Sequence, residues 1–191
     1  LHFYVEEPSA ESALIELVPR ILQGQDFDFD IFPFQGKQAL LRNLPNRLSA
    51  YRHRPGDDWR VVVLTDRDDD DCLALKAIIE RLAHNAGLTT RGTSPKKFQV
   101  INRLVIEELE AWFFGDVDAL VAAYPRIDPN LAQQAAYRDP DAIKGGTWEQ
   151  LERLLKFYHP GGLEKIRAAE EISKHMQPAR NRSKSFQVFQ N

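Results

Sequence analysis

The chain has 191 residues, which suits one domain or one domain with a modest extension. Its 43% hydrophobic content is typical of a globular protein, and a single cysteine, Cys72, excludes an internal disulfide and favours a reducing, cytoplasmic compartment. The net charge of −3 argues against a passive nucleic-acid binder, although a nuclease whose metal supplies positive charge is a partial exception. We expect neither a signal peptide nor a membrane-spanning helix, because no apolar run approaches about 20 residues.

The first part of the chain predicts strands that alternate with helices. The predicted strands cover residues 2–5, 27–31, 61–64 and 100–106. The predicted helices follow each strand, near residues 9–22, 36–51, 73–82 and 107–114, and Pro45 is expected to break or restart the second helix. This alternation predicts an α/β, Rossmann-like fold with a mainly parallel sheet flanked by helices.

The pattern changes after Gly115, where no clear strand follows. Apolar spacing predicts helices near residues 118–124, 148–158 and 163–175, separated by prolines and glycine pairs. We therefore expect an α/β core over residues 1–115 and a helical C-terminal extension, packed on that core, over residues 116–191.

The most informative stretch is an acidic run directly after the third predicted strand. The apolar sequence Val-Val-Val-Leu is typical of a central parallel strand, and it leads through Thr65 into a run of aspartates. If the strand extends to Asp68, alternation places Asp66 and Asp68 on one face, where two carboxylates repel unless a cation lies between them. Oxygen ligands suit Mg²⁺ or Mn²⁺. The alternative is a solvated loop that caps the next helix, which we favour for Asp70 and Asp71.

A second group of acidic residues follows the first predicted strand. Glu6 would lie beside Asp66 if the first and third strands are neighbours in the sheet. Glu11, one turn into the next helix, could point toward the same edge. Alone, Glu6 could be an exposed residue and Glu11 a first-turn helix acid. Together with Asp66 and Asp68, Glu6 supplies the third acidic group that a metal site needs.

This combination of acidic residues resembles the Toprim fold of topoisomerases, primases and the overcoming-lysogenization-defect nucleases. That fold carries a glutamate after its first strand and an Asp-x-Asp after its third, which Glu6, Asp66 and Asp68 match. Glu7 stands where the fold usually has a glycine. The resemblance implies a site in which these three carboxylates bind one or two Mg²⁺ ions that polarise a phosphodiester and activate water.

The whole chain is also similar to the bacterial family catalogued as domain of unknown function 4276. The stretches that carry this similarity are VEEPSAE (5–11), VLTDRDDDDC (63–72), IEELEAWFFGD (106–116), DAIKGGTWEQLERLL (141–155) and ARNRSKSFQVF (179–189). Members of the family look Toprim-like, and their genes often neighbour ATPases of the RecF or structural-maintenance type. The resemblance implies work beside such an ATPase in DNA metabolism or defence.

Other residues have a weaker functional signal. Glu110 could be a further metal ligand or a general base, or a solvated residue at a helix start, and Trp112 is predicted to be core. Gly36 and Lys37 could bind phosphate at a helix N-terminus, although the rest of a P-loop is missing. Thr147 is predicted to cap a helix.

A basic C-terminal segment could contact a nucleic-acid backbone, a partner protein or only solvent. Its cations are Lys174, His175, Arg180, Arg182 and Lys184.

The leading interpretation is a Mg²⁺-dependent, Toprim-like nuclease whose substrate is nucleic acid. Glu6, Asp66 and Asp68 would bind the metal, and Glu110 would assist catalysis. The main alternative is a non-catalytic Toprim-like module that docks on an ATPase partner. A third hypothesis is a phosphotransfer enzyme or phosphatase that acts on small substrates.

Overall fold

The computed structural model describes residues 1–191, and its central element is a four-stranded sheet with the strand order β2-β1-β3-β4. All four strands are parallel, and helices flank the sheet. The strands are β1 His2–Val5, β2 Asp30–Pro33, β3 Val61–Asp66 and β4 Val100–Val105. The α/β fold predicted from alternating strands and helices is therefore confirmed.

Eight α-helices accompany the sheet. Three of them connect successive strands: α1 Pro8–Ile21, α2 Lys37–Ser49 and α3 Cys72–Asn85. Five follow β4: α4 Glu110–Phe114, α5 Val117–Ala123, α6 Thr147–Leu155, α7 Lys165–Ser173 and α8 Lys184–Gln190. Three short 3-10 helices lie among them, at Leu131–Gln133, Pro140–Ala142 and Pro178–Arg180. The helical C-terminal half is confirmed, and none of the helices combines the length and apolar character that crossing a bilayer requires.

Residue contacts divide the chain into two compact units. The first comprises Leu1–Pro8 and Asp26–Leu104, and the second comprises Ser9–Gln25 and Val105–Asn191. The first unit therefore contains nearly all of the sheet together with α2 and α3. The second contains nearly all of α1 and every helix after β4. The boundary predicted after residue 115 stays a prediction.

The core of the first unit joins one face of the sheet to α2 and α3. Its buried members include alternate residues of the strands and residues spaced by three or four along the helices, namely Tyr4, Val61, Val63, Leu40, Leu44, Leu48, Leu75, Ile79 and Ala83. Each fully buried leucine contributes roughly 1.5–3 kcal/mol. This packing fixes α2 against the sheet and brings its first turn to the carboxyl edge, where the Gly36 N–H donates to the Glu6 carbonyl at 3.0 Å.

Two local predictions for this unit are corrected. Pro45 does not break α2, which runs continuously from Lys37 to Ser49 because its leucine stripe holds both halves against the core. The second strand begins at Asp30 and not at residue 27, because Asp30 is the partner of His2, the first residue of β1.

Candidate metal centre

The register of the sheet brings the first and third strands together at the candidate site. Val5, the last residue of β1, lies opposite Leu64 of β3. The residues that follow each of them, Glu6 and Thr65, therefore lie side by side where β1 ends. The expectation that the two strands are neighbours is confirmed, and the carboxyl edge of a parallel sheet is where α/β proteins bind ligands.

Glu6 is buried at this edge, with 8% of its surface exposed. Its Oε2 accepts a hydrogen bond from the Thr65 hydroxyl at 2.5 Å and another from the Asp66 N–H at 3.1 Å. One carboxylate oxygen thus joins the ends of β1 and β3. This explains the placement of Glu6 without any ion, so its geometry alone assigns no metal.

Burial raises the pKa of Glu6 above its ordinary value, because desolvation disfavours the charged form. The hydrogen bonds from Thr65 and Asp66 and the charge of Lys37 oppose this shift, while the charge of Asp68 adds to it. Glu6 is therefore a carboxylate whose ionised form gains from any further cation placed beside it.

The acidic run leaves the sheet after Asp66, whereas a strand face shared by Asp66 and Asp68 requires the strand to continue to Asp68. β3 ends at Asp66, and Asp68 has a φ of 49°, in the left-handed region. Asp68 is therefore a loop residue, and the prediction that it shares a strand face with Asp66 is wrong. Aspartate tolerates this backbone conformation better than most residues do. The turn is closed by the Asp70 N–H, which donates to the Arg67 carbonyl at 3.0 Å.

Lys37 supplies the cation that this loop contacts. Its Nζ lies 2.7 Å from Asp68 Oδ2 and 2.6 Å from Asp70 Oδ2, and it donates to the Arg67 carbonyl at 3.1 Å. Burial alone would lower the pKa of Lys37, but its hydrogen bonds to Asp68 and Asp70 outweigh burial and raise that pKa. The ammonium therefore stays charged and neutralises part of the acidic run.

The contact of Lys37 with the acidic loop was not predicted. Gly36 and Lys37 were candidates only for phosphate binding. Gly36 precedes α2 with a φ of 89°, a conformation that glycine adopts without strain. A lysine at the start of the helix that follows a neighbouring parallel strand was the available signal, because that helix begins at the same edge of the sheet.

The carboxylate oxygens are the right type of donor for a divalent ion, but their arrangement fits such an ion less closely. Their oxygens suit Mg²⁺ or Mn²⁺. However, no group of three or more His, Cys, Asp or Glu side chains is gathered closely enough to hold a metal. Metal binding at Asp68 requires Lys37 to move away, because ammonium and ion would compete for the same carboxylate.

The remaining aspartate at the start of α3 has the structural role predicted for it. Asp71 is the N-cap of α3, and its Oδ1 accepts a hydrogen bond from the Ala74 N–H at 2.7 Å. Asp70 is an exposed loop residue, as predicted, and it pairs with Lys37 while Asp71 caps the helix. The acidic run is thus divided between helix capping and the contacts of Lys37.

Glu110 belongs to the second unit, where it is the first residue of α4 and is 3% exposed. The alternative that it is merely solvated is therefore wrong, and its part in catalysis stays a prediction. Trp112 is a core residue as predicted, with no exposed surface, and its Nε1 donates to the Ser185 hydroxyl at 3.0 Å.

A nearby glutamate was missed as a helix cap. Glu108 Oε2 accepts hydrogen bonds from the Thr147 hydroxyl at 3.0 Å and from the Trp148 N–H at 2.9 Å. Thr147 is the first residue of α6 and Gly146 is its N-cap, so the prediction that Thr147 caps the helix is wrong. A carboxylate from a distant segment replaces the local side-chain cap, which no local sequence pattern reveals.

Two of the C-terminal cations are neutralised within the second unit. Arg180 Nη2 donates to Asp116 Oδ2 at 3.0 Å, and the Asp116 side chain has no exposed surface. Lys174 pairs with Glu170 at 2.5 Å. These contacts reduce the charge that the C-terminal segment offers to a polyanion, and its binding to nucleic acid stays a prediction.

Comparison with known proteins gives one match. A family model described as a domain of unknown function, DUF4276, matches residues 5–191. That range contains both ends of the candidate site, from Glu6 to the acidic loop before α3. Neither curated proteins nor solved structures give a match.

Proposed function

Since this chain belongs to the family described as domain of unknown function 4276, we propose its function from the site itself, as a Toprim-like nuclease that uses Mg²⁺ or Mn²⁺. The observation that carries the proposal is the position of Glu6 beside the start of the acidic run, at the carboxyl edge of a parallel sheet. Carboxylates at this edge are suited to holding an ion that in turn binds a phosphodiester.

In this proposal, Glu6, Asp66 and Asp68 hold the ion, which supplies charge for a phosphodiester and an activated water. The charge would favour ionised Glu6, which burial now disfavours. Lys37 would leave Asp68 and donate to a phosphate oxygen, so the same ammonium serves the free and the loaded site. Glu110 is proposed as an assisting residue.

The proposed substrate is nucleic acid, and the proposed partner is an ATPase of the RecF or structural-maintenance type. The substrate comes from the Toprim-like resemblance and the ATPase from the similarity to the family, and the setting we propose is bacterial DNA metabolism or defence. Co-purification with such an ATPase, followed by cleavage assays with and without ATP, tests the partnership.

A second candidate function is a non-catalytic module that docks on the ATPase. The observation that favours it is the pairing of Lys37 with Asp68 and Asp70, because this pairing offsets part of the loop's negative charge without any metal. Under this alternative the acidic edge is a structural feature, and no metal-dependent cleavage is expected.

The test is a titration of Mg²⁺ and of Mn²⁺ by calorimetry, with parallel cleavage assays on single- and double-stranded DNA and RNA. The variant Asp66→Ala/Asp68→Ala is compared with Asp57→Ala/Asp58→Ala, which removes two exposed aspartates from a turn in the same unit. Loss of binding and cleavage in the first variant alone supports the nuclease. Absence of both in the wild type, together with stable capture of the ATPase, supports the docking module.

A further inference from the structure

The first unit contains a basic segment, of which only Lys37 belongs to the candidate metal centre. Residues 31–56 contain no aspartate or glutamate, although the whole chain carries a net charge of −3. The basic residues of this segment are Lys37, Arg42, Arg47, Arg52, His53 and Arg54. Lys37, Arg42 and Arg47 lie five residues apart on α2 and therefore face different sides of the helix, whereas Arg47, Arg52, His53 and Arg54 lie near its C-terminal end.

The arginines of this segment are available to a ligand. All four are exposed, and none forms a salt bridge with a carboxylate. This contrasts with Arg180 in the second unit, whose guanidinium is held by a buried aspartate. Unpaired exposed arginines keep their full charge and all their N–H donors for a partner.

A cleft of about 770 Å³ opens beside the C-terminal half of α2. Its lining includes Asn43, Asn46, Arg47, Tyr51, His53 and Arg54, and no carboxylate. Asn43, Asn46 and Arg47 lie three or four residues apart and therefore share one face of the helix. Every charged group that lines the cleft is basic, and the amides add further donors.

The floor of the cleft is ordered by aromatic contacts. Tyr51 is 7% exposed, and its hydroxyl lies 3.0 Å from that of Tyr4. The guanidinium of Arg54 lies over the rings of Tyr51 and Trp59, 5.8 Å and 5.9 Å from their centroids. Stacking leaves the edge of the guanidinium open for hydrogen bonds, so Arg54 is oriented before any ligand arrives.

We propose that this cleft binds the phosphate backbone of a polynucleotide. A set of donors without acceptors fits phosphate oxygens, and paired N–H groups of arginine suit phosphate geometry. A repeating polyanion is favoured over a small anion because the cleft has a volume of about 770 Å³ and carries two arginines, Arg47 and Arg54, with exposed Arg52 close by in the chain, so it offers more donors than one phosphate group needs.

This surface deepens the proposed nuclease function, on which the identity of the ligand as a substrate rests. Lys37 begins α2 at the candidate metal centre, and the cleft lies beside the other half of the helix. A polynucleotide held by Arg47 and Arg54 would reach the carboxylates by extending past the length of α2, which is about 20 Å at about 1.5 Å per residue. Binding itself requires no metal, so the two proposals can be tested separately.

The test measures binding of fluorescent single-stranded and duplex oligonucleotides by anisotropy, in EDTA and at several salt concentrations. Arg47→Gln/Arg54→Gln is compared with Lys76→Gln/Arg81→Gln, which removes the same charge from exposed positions of α3. At about 100 mM salt we expect the first variant to bind at least tenfold more weakly, with a salt slope smaller by about 2. The control should change affinity less than about twofold.

A third variant, Arg47→Lys/Arg54→Lys, keeps the charge and should restore part of the affinity, and circular dichroism checks that each variant is folded. Equal losses in the test and control variants would overturn the proposal, since they would indicate only net charge. Binding of inorganic phosphate or a mononucleotide in place of oligonucleotides would overturn it too. Arginine-dependent binding without metal-dependent cleavage would refute the nuclease and support the binding surface. Metal-dependent cleavage with unchanged binding in Arg47→Gln/Arg54→Gln would support the nuclease and refute the binding surface.

Discussion

The substitution Lys37→Met should have opposite effects on stability and on metal binding. Methionine has a similar flexible stem without the ammonium, so the change removes the contacts with Asp68, Asp70 and the Arg67 carbonyl. Without metal, these contacts stabilise the folded chain. With metal, the same contacts must be broken before Asp68 can become a ligand.

The size of both effects follows from the exposure of the groups involved. The Asp68 and Asp70 side chains are 49% and 52% exposed, so each ion pair is worth only about 0.2–1 kcal/mol. The hydrogen bond to the Arg67 carbonyl adds about 0.5–1.5 kcal/mol. Because the three contacts share one ammonium and are not fully additive, we expect Lys37→Met to cost about 1–2 kcal/mol in EDTA, which lowers the Tm by about 2–8 °C.

In the variant, the free energy of the Lys37 contacts no longer opposes the binding of a metal ion. A gain of about 1–2 kcal/mol raises the affinity for Mn²⁺ by about 5- to 30-fold. Thermal unfolding in EDTA measures the first effect, and calorimetric titration with Mn²⁺ measures the second. Lys76→Met, at an exposed position on α3 without an ion pair, is the matched control and should change neither quantity.

Weaker binding of Mn²⁺ by Lys37→Met than by the wild type would refute the competition between Lys37 and the ion. That result would mean that Lys37 assists the bound state and does not compete with the ion. An unchanged Tm in EDTA would refute the stabilising role of the ion pairs.

Three further predictions concern stability. The Glu6→Gln variant keeps an acceptor oxygen but cannot ionise. The wild type should lose stability as pH rises from 4.5 through the raised pKa of Glu6. The free energy of unfolding of the variant, measured in urea, should therefore rise relative to that of the wild type across this pH range. No such difference at pH 8 would contradict this prediction. Phe186→Ala should cost about 3–5 kcal/mol in the same assay, because Phe186 is fully buried beside Trp112, and a loss below about 1 kcal/mol would contradict its place in the core. Burial opposes ionisation of Glu171, but hydrogen bonds, including one of 2.6 Å from Tyr124, lower its pKa. Tyr124→Phe should therefore lower the stability by about 1 kcal/mol at pH 7, and by less as pH falls through the lowered pKa of Glu171. An equal loss of stability above and below that pKa would contradict a role for the ionised carboxylate.

The arrangement of strands was predictable because its signals are local. The continuous apolar run before Thr65 indicated a central strand, and β3 is buried through Thr65. The alternation of strands and helices indicated parallel pairing, and a parallel sheet gathers strand ends at one edge. These two inferences were enough to place Glu6 beside Asp66.

The details of the site depend on contacts between distant residues, which local patterns do not show. The position at which β3 ends is linked to the turn at Asp68 and to the ammonium of Lys37, some thirty positions earlier in the chain. Similarly, Glu108 caps a helix that begins at Thr147. Lys37 pairs with an aspartate that the sequence pattern had assigned to a metal. Glu108 accepts a hydrogen bond from the start of a helix whose cap was predicted to be a neighbouring residue.

The pairing of Lys37 with the acidic loop also bears on how the protein matures. In domains whose ligands remain uncompensated without metal, such as zinc fingers, folding waits for the ion. Here a lysine of the same chain offsets the repulsion between Asp68 and Asp70. Under the proposed metal-dependent function, newly made chains would complete the sheet edge without metal and bind the ion later, so supply of the ion would limit occupancy and leave the yield of folded protein unchanged.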